Sequence, residues 1–196
     1  MDEEKILVAV ILIMWYLLPA YLANAIAAIV GGGAPVDGGK NWKDGRRILG
    51  DGKTWKGLIG GTLGGIITGI IILNIGSPIR GVNSFTEPDN LLALEGYNYV
   101  HISAVMSFGA LLGDMMASFV KRRMGYQRGK MVLGLDQYDF ILVSLALTWL
   151  LYGQWIEELF DNHLWREMAT ILILTPLLHK GVNVIGYKIG VKNEPW

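Results

Sequence analysis

Long stretches without a charged residue alternate with short polar segments along the chain. No Asp, Glu, Lys or Arg occurs from Ile6 to Val36, from Gly57 to Ile79, from Gly96 to Gly113 or from Phe140 to Ile156. A helix needs roughly 20 apolar residues to cross the hydrocarbon of a bilayer; the first run exceeds that length and the other three are close to it. A fifth run starts at Met168 and reaches that length only if it continues through a few polar residues.

This pattern predicts an all-α integral membrane protein, a bundle of five transmembrane helices that forms one membrane-embedded domain over residues 1–196. The predicted spans are about 6–30, 57–78, 97–120, 139–157 and 166–187. Two loops on one side of the membrane are predicted to carry the function, at about 31–56 and 121–138.

Basic residues fall almost entirely on one side of these five spans. Six of the 17 lie in the loop after the first span, five in the loop after the third and three in the C-terminal segment, which leaves Lys5, Arg80 and Arg166. Cytoplasmic loops carry an excess of Lys and Arg. We therefore predict a multi-pass protein of the cell membrane with both basic loops and the C-terminus in the cytoplasm and the N-terminus outside.

Composition narrows the possible chemistry. Charged residues make up 17% of the chain, whereas soluble domains carry about 25%. Seventeen basic residues balance 17 acidic ones, which argues against a nucleic-acid partner. The absence of cysteine excludes disulfides, a thiolate nucleophile and Cys-ligated zinc.

The second span is rich in glycine, with several pairs four residues apart: Gly57, Gly60, Gly61, Gly64, Gly65 and Gly69. This spacing lets helix backbones touch and predicts tight packing within the bundle. Two alternatives remain open for this thin face, a dimer contact and one wall of a groove for a lipid chain. The sequence does not indicate an oligomeric state.

The first basic loop combines glycines with six cations. Gly52-Lys53-Thr54 is like the end of a P-loop, but Arg47 stands where that motif needs glycine, and a membrane helix precedes the loop instead of a strand. Backbone N–H groups and positive charge still suit phosphate binding. The alternative is that these cations only satisfy the positive-inside rule.

The end of the third span carries four polar residues at i, i+4, i+7 and i+8: Asp114, Ser118, Lys121 and Arg122. A continuing helix places them on one face, and an acid near the end of an apolar helix is a functional candidate. Asp136 and Asp139 stand three residues apart near the start of the fourth span. Such carboxylates suit Mg²⁺, so we predict metal-assisted phosphoryl or nucleotidyl transfer at the membrane surface. A salt bridge to a neighbouring Arg is the alternative for each Asp.

These residues resemble a family signature. Ser118-x-x-Lys121-Arg122 followed by Asp136-x-x-Asp139 is similar to the CDP-diacylglycerol synthases, and more closely to their archaeal relatives, the CDP-archaeol synthases. The archaeal likeness extends over nearly the whole chain, in Pro19-Ala20-Tyr21-x-Ala23-Asn24, Pro35-x-Asp37, Asp44-Gly45-Arg46-Arg47, Gly50-x-Gly52-Lys53-Thr54-Trp55-x-Gly57, Gly113-Asp114, Asp136-Gln137-x-Asp139-Phe140, His179-x-x-x-Asn183 and Pro195-Trp196. The chain departs from the bacterial signature after Arg122, where Gln127-Arg128 replaces a Lys-Asp pair.

The resemblance implies transfer of a cytidylyl group from CTP to 2,3-di-O-geranylgeranyl-sn-glycerol 1-phosphate, an isoprenoid ether lipid phosphate, with Mg²⁺ as the cofactor. The predicted catalytic residues are Asp114, Lys121, Arg122 and Asp136. The predicted CTP-binding residues are Asp37, Asp44, Arg46, Arg47, Lys53, Thr54, Ser118 and Arg123. The predicted metal ligands are Asp114, Asp136 and Asp139.

Two other functions remain open at this point. One is another phosphate-handling lipid enzyme, either a phosphatase or a CTP-using lipid kinase. The other is a small ion-coupled transporter in which Asn24, Asp114 and Lys180 line an ion path, although the chain shows no inverted repeat.

Overall fold

The structure, a computed structural model, describes residues 3–76, 97–127, 129–160, 164–188 and 190. Its helices are α1 (Glu3–Val30), α2 (Trp55–Ile75), α3 (Tyr99–Arg123), α4 (Leu135–Phe160) and α5 (Leu164–Lys188). These described ranges contain no strand, so the prediction of an all-α protein with five helices is confirmed.

Four of the helices, α1 to α4, are long and apolar enough to cross a membrane. Helix α5 has 25 residues, which also exceeds the roughly 20 that a crossing needs, but its apolar stretch is interrupted by charged residues. The crossing of α5 and the orientation of the bundle stay predictions.

Two connections matter for the site. The first loop, residues 31–54, joins α1 to α2, and the second loop, residues 124–134, joins α3 to α4. Helices α3 and α4 extend beyond their apolar runs, so Lys121, Arg122 and Asp136 lie on helix ends and not in the connection. A charge-free run measures the thickness of the hydrocarbon, whereas a helix ends where its backbone hydrogen bonds end.

Helices α1, α2 and α3 pack against one another, α4 packs along α3, and α5 rests more loosely on α1 and α4. The core contains large buried side chains from several helices, among them Tyr16, Met106, Ile141 and Trp155. The Tyr99 hydroxyl donates to the Tyr16 carbonyl oxygen at 2.7 Å, which satisfies a buried polar group within the membrane region.

The buried face of α2 consists largely of its small residues: Gly57, Gly61, Gly65, Thr68 and Gly69. A Cβ added at Gly61 would lie 2.7 Å from the Ala23 carbonyl oxygen and 2.8 Å from the Ala27 Cβ. At Gly65 it would overlap the Ser107 hydroxyl of α3. The predicted tight packing is confirmed. Because α1 and α3 already fill this face, it cannot be the wall of a lipid groove.

Replacing Gly65 with leucine is therefore expected to destabilise the protein by about 3 kcal/mol or more, because the added side chain overpacks a filled interface. The measurement is the midpoint of thermal unfolding in detergent. Gly181→Leu is the control, since a Cβ at that exposed position of α5 meets nothing within 4 Å. Equal midpoints for the two variants would contradict the packing described here.

The predicted orientation can be tested with single cysteines, because the 196 residues contain none of their own. A cysteine at Lys43 of the first loop or Lys130 of the second is expected to react with an impermeant thiol reagent only from the cytoplasmic face. A cysteine at Glu157, at the other end of α4, is expected to react only from outside. The reverse labelling pattern would show that the bundle has the opposite orientation in the membrane.

Candidate active site

The first loop is organised around one buried carboxylate. One Asp37 oxygen accepts hydrogen bonds from the Gly39 N–H at 3.0 Å and the Arg47 guanidinium at 2.8 Å. The other oxygen accepts from the N–H groups of Leu49 and Gly50, both at 3.0 Å. The Asp37 side chain is 0% exposed. Its hydrogen-bonding capacity is therefore used within its own loop.

These contacts also set the protonation of Asp37. Burial acts to raise its pKa, but hydrogen bonds from Arg47 and from three backbone N–H groups outweigh burial and hold the pKa of Asp37 well below its usual range. Hydrogen bonds to Asp37 and Asp51 raise the pKa of Arg47. The loop therefore contains a permanently charged internal salt bridge.

Three arginine and aspartate side chains fasten the first loop to the end of α3. Arg46 donates to the Arg123 carbonyl oxygen at 2.7 Å. Arg123 in turn pairs with Asp44 and donates to the Arg47 carbonyl oxygen at 2.5 Å. The Arg123 guanidinium also lies 5.0 Å from the centre of the Phe119 ring. These contacts fix the position of the loop over the helix end.

Thr54 serves as the N-cap of α2. Its hydroxyl oxygen accepts from the N–H of Gly57 at 3.1 Å and from the N–H of Gly32 at 3.2 Å. A helix start needs such an acceptor because its first N–H groups have no intrahelical partner. The cap also places the neighbouring Lys53 at the edge of a cavity.

That cavity has a volume of about 640 Å³ and lies between the first loop, the end of α3, the second loop and the start of α4. Eight of the predicted site residues line it: Arg46, Arg47, Lys53, Asp114, Ser118, Lys121, Arg122 and Asp136. Five others do not: Asp37, Asp44, Thr54, Arg123 and Asp139. We call it the charged cavity.

Two lysine–aspartate ion pairs lie in the walls of the charged cavity. The Lys53 ammonium lies 2.5 Å from Asp114, and the Lys121 ammonium contacts both Asp136 oxygens at 2.9 and 2.8 Å. Asp136 also accepts from the Val132 N–H at 2.8 Å. The side chains of these pairs are 14–36% exposed, so their charges are screened less than those of a free surface.

Asp139 lies behind this wall. One of its oxygens accepts from the Phe140 N–H at 2.6 Å, and Asp114, Lys53 and Asp136 are the charged groups that act on its carboxylate. It is near the other predicted metal ligands without lining the charged cavity. Its role as a third ligand stays a prediction.

Several cavity residues were not assigned a role from the sequence. Tyr126, Gln127 and Met131 of the second loop line the charged cavity, as does His179 of α5. A tyrosine and a glutamine in a short loop carry no spacing signal. His179 does stand in one of the family-like motifs, but that motif gives no indication that α5 reaches the cavity.

An apolar groove of about 510 Å³ runs between α1 and α5 and meets the charged cavity at His179, which lines both. Two polar tips in its wall are used elsewhere, since the Tyr21 hydroxyl is bonded to Thr175 at 2.7 Å and the Trp15 N–H donates to the Gly76 carbonyl oxygen at 3.2 Å. Apart from Asn24 and His179, the groove therefore presents mainly hydrocarbon to whatever enters it.

Comparison with known proteins identifies the family of this chain. A family model described as CarS-like CDP-archaeol synthase matches residues 6–196. The chain belongs to the CDP-archaeol synthase family. The CDP-archaeol synthase of Methanosarcina barkeri is 47% identical over 184 residues, covering 92% of this chain and 100% of the relative. That of Thermococcus kodakarensis is 42% identical, covering 93% and 94%.

A solved structure of an intramembrane enzyme for archaeal membrane lipid biosynthesis is similar to this fold, with 35% identity and a TM-score of 0.60. The match covers 85% of this chain and 91% of the other. The resemblance to CDP-archaeol synthases found in the sequence motifs is thus confirmed. The prediction of a multi-pass membrane protein is confirmed as well.

In this CDP-archaeol synthase family member, the motif residues fall into two spatial groups. Asp37, Asp44, Arg123 and Thr54 make the contacts of a scaffold that positions the first loop. Lys53, Asp114, Ser118, Lys121, Arg122 and Asp136 line the charged cavity. The predicted roles in CTP and metal binding stay predictions for all of them, and the geometry favours the second group for direct contact.

The scaffold role of Asp37 predicts a pH-dependent loss of stability. Because the folded-state pKa lies below the unfolded value of about 3.9, ionised Asp37 stabilises the fold above that pH, and this contribution is lost as pH falls through the folded pKa. Asp37→Asn is expected to destabilise the protein by about 2 kcal/mol at pH 7. The difference from wild type should stay constant down to about pH 5 and shrink below pH 4. A difference that grows on acidification would contradict this role.

Proposed function

We propose that this chain transfers the cytidylyl group of CTP to 2,3-di-O-geranylgeranyl-sn-glycerol 1-phosphate and releases pyrophosphate. One observation carries the proposal: a cavity walled by cations and carboxylates meets an apolar groove at His179. The first suits a triphosphate and the second suits isoprenoid chains. Membership in the CDP-archaeol synthase family supports the same pair of substrates.

The reaction makes one bond and breaks one bond. An oxygen of the lipid phosphate attacks the α-phosphorus of CTP, and the bond from that phosphorus to the bridging oxygen of the β-phosphate breaks as pyrophosphate leaves. The attacking oxygen is largely ionised at neutral pH, since a phosphate monoester has a second pKa of about 6. No strong general base is needed, and the barrier comes from repulsion between polyanions and from charge on the leaving group.

The cations of the charged cavity address that barrier. The ammonium groups of Lys53 and Lys121 are each paired with a carboxylate. The Arg122 guanidinium donates to the carbonyl oxygens of Leu49 and Tyr126. Phosphate oxygens compete with those partners for the same donors. On CTP binding the Lys53 ammonium passes from carboxylate to phosphate and positions the substrate. The Lys121 ammonium acts mainly on the phosphate charge that develops in the transition state.

The donor set fits Mg²⁺. Proteins hold this ion through one or two carboxylates and leave other positions to water and substrate phosphates. Asp114 and Asp136 line one cavity and would provide those carboxylates once the lysines move to phosphate. Among the described residues, no three His, Asp or Glu side chains are grouped as metal ligands. When bound, the ion neutralises phosphate charge.

The groove between α1 and α5 is where the lipid chains would lie. The sequence left open that the glycine face of α2 forms a wall of the lipid groove, but neighbouring helices fill that face. The groove is lined by aliphatic and aromatic side chains such as Ile11, Leu18, Leu174 and Leu177. Burial of isoprenoid chains there gains about 25 cal/mol per Å² of apolar surface.

The test is an assay of purified protein with radiolabelled CTP and the lipid phosphate. The expected products are a CDP-lipid and pyrophosphate in equal amounts, with formation abolished by EDTA and restored by Mg²⁺. Release of inorganic phosphate from the lipid would indicate a phosphatase. Formation of CDP with a newly phosphorylated lipid would indicate a kinase. Either result would overturn the proposal.

A further inference from the structure

A small chamber lies at the junction of the charged cavity and the apolar groove. Its volume is about 190 Å³. It shares Lys53 and Asp114 with the charged cavity, Asn24 with the groove, and His179 with both. A molecule whose apolar part lies in the groove can therefore place its polar end in this chamber, next to the charged cavity.

Asn24 of α1 is the unusual residue of the chamber. Its side-chain oxygen is buried and accepts no hydrogen bond from any described residue. An unsatisfied buried polar atom costs roughly 1–3 kcal/mol, so such an atom calls for an explanation. Asn24 lies within a predicted membrane span and lines the chamber, so whatever occupies the chamber is available as its partner.

The other polar groups around the chamber already have partners. The Thr54 hydroxyl caps α2, and Lys53 is paired with Asp114. Asn24 is therefore the side chain whose hydrogen-bonding capacity is left for a ligand. It lines the chamber together with Lys53, and it also lines the apolar groove.

We propose that this chamber binds the phosphate of the acceptor lipid, with Asn24 and Lys53 as its ligands; the inference rests on the proposed function. A phosphate monoester near neutrality offers acceptor oxygens and, in its monoanion, one O–H donor. The Asn24 amide supplies both a donor group and an acceptor oxygen, and Lys53 supplies positive charge. The attacking oxygen is then held next to Asp114, at the border of the charged cavity.

This assignment separates the two substrates. Asn24 contacts the lipid phosphate alone, whereas Lys53 lies on the border and contacts the phosphates of both substrates. Asn24 thus lies outside the charged cavity and binds only one of the two substrates. A purely structural role for Asn24 would not distinguish between the substrates.

The test compares Asn24→Ala and Asn24→Asp with the control Asn74→Ala, which changes an exposed asparagine near the end of α2. Asn24→Ala is expected to raise the KM for lipid phosphate about tenfold while the KM for CTP changes less than about twofold. Asn24→Asp places a negative charge beside the phosphate and should raise the lipid KM further. Alanine is favoured in a helix, and unfolding midpoints check that each variant folds.

Direct binding of lipid phosphate, measured by calorimetry in detergent without CTP, separates this inference from the proposed function. If wild type forms no CDP-lipid, the proposed function fails, and the binding comparison still tests Asn24. Unchanged lipid binding in both Asn24 variants would overturn the inference. An equal rise in both KM values, with lower unfolding midpoints, would likewise assign Asn24 to packing.

Discussion

Asp114→Asn is expected to lower kcat by about 10³-fold or more. The substitution keeps the shape of the side chain but removes the charge that would hold Mg²⁺ in the charged cavity. It also releases Lys53 from its ion pair at 2.5 Å, so that CTP binding itself should not weaken. The measurement is kcat and the KM for CTP over a range of Mg²⁺ concentrations.

The matched control is Glu157→Gln, which removes the charge of an exposed carboxylate at the opposite end of α4, outside the charged cavity. Its kcat should stay within about threefold of wild type, because surface charges far from the reacting groups contribute little. Mn²⁺ binding in the presence of CTP provides a second measurement without turnover. If Asp114→Asn kept wild-type activity at low Mg²⁺, its role as a ligand would be wrong.

Lys121→Ala is expected to lower kcat by about 10²-fold and to change the KM for CTP little. Its ammonium, which now bonds both oxygens of Asp136, would act on charge that develops in the transition state. Lys53→Ala should instead raise the KM for CTP about tenfold, because Lys53 contacts phosphate in the ground state as well. Steady-state kinetics with both substrates varied separates the two effects.

The control for both variants is Lys56→Ala, which removes an exposed cation three residues from Lys53 and outside the charged cavity. Lys121→Arg keeps the charge and should recover part of the lost turnover. Since Lys121→Ala leaves Asp136 without its cation, unfolding midpoints must accompany the kinetics. Loss of CTP affinity in both lysine variants at unchanged kcat would refute this division of roles.

Much of the candidate site could be predicted from the sequence because its residues lie where helices end. Asp114, Lys121 and Arg122 share a face on α3, and helical periodicity alone predicts that they meet. The residues of the first loop were harder to assign. In the sequence, Asp37, Arg47 and Lys53 are all charged residues of the same glycine-rich loop. In the structure the Asp37 side chain is fully buried, whereas Lys53 lines the charged cavity. Only the turns of the loop distinguish them.

The position of the lipid groove was also outside the reach of the sequence. Glycines four apart indicate close approach of two backbones, but not whether a helix or a lipid occupies the space. In the structure Ala23 and Ser107 occupy it. The groove lies instead on α1 and α5, where side chains such as Ile11 and Leu177 give no periodic signal beyond that of any membrane helix.

By itself the sequence determined that the chain is a helical membrane bundle, that its charged chemistry lies at one end and that it is related to the CDP-archaeol synthases. These properties depend on short segments of the chain, since the hydropathy of about 20 consecutive residues decides a span and a short motif identifies a family. The tertiary structure decided which charges face the cavity, which fasten the first loop, and where the groove meets them at His179. Those outcomes depend on contacts between residues far apart in the chain, and such contacts follow from packing and hydrogen-bond geometry in three dimensions.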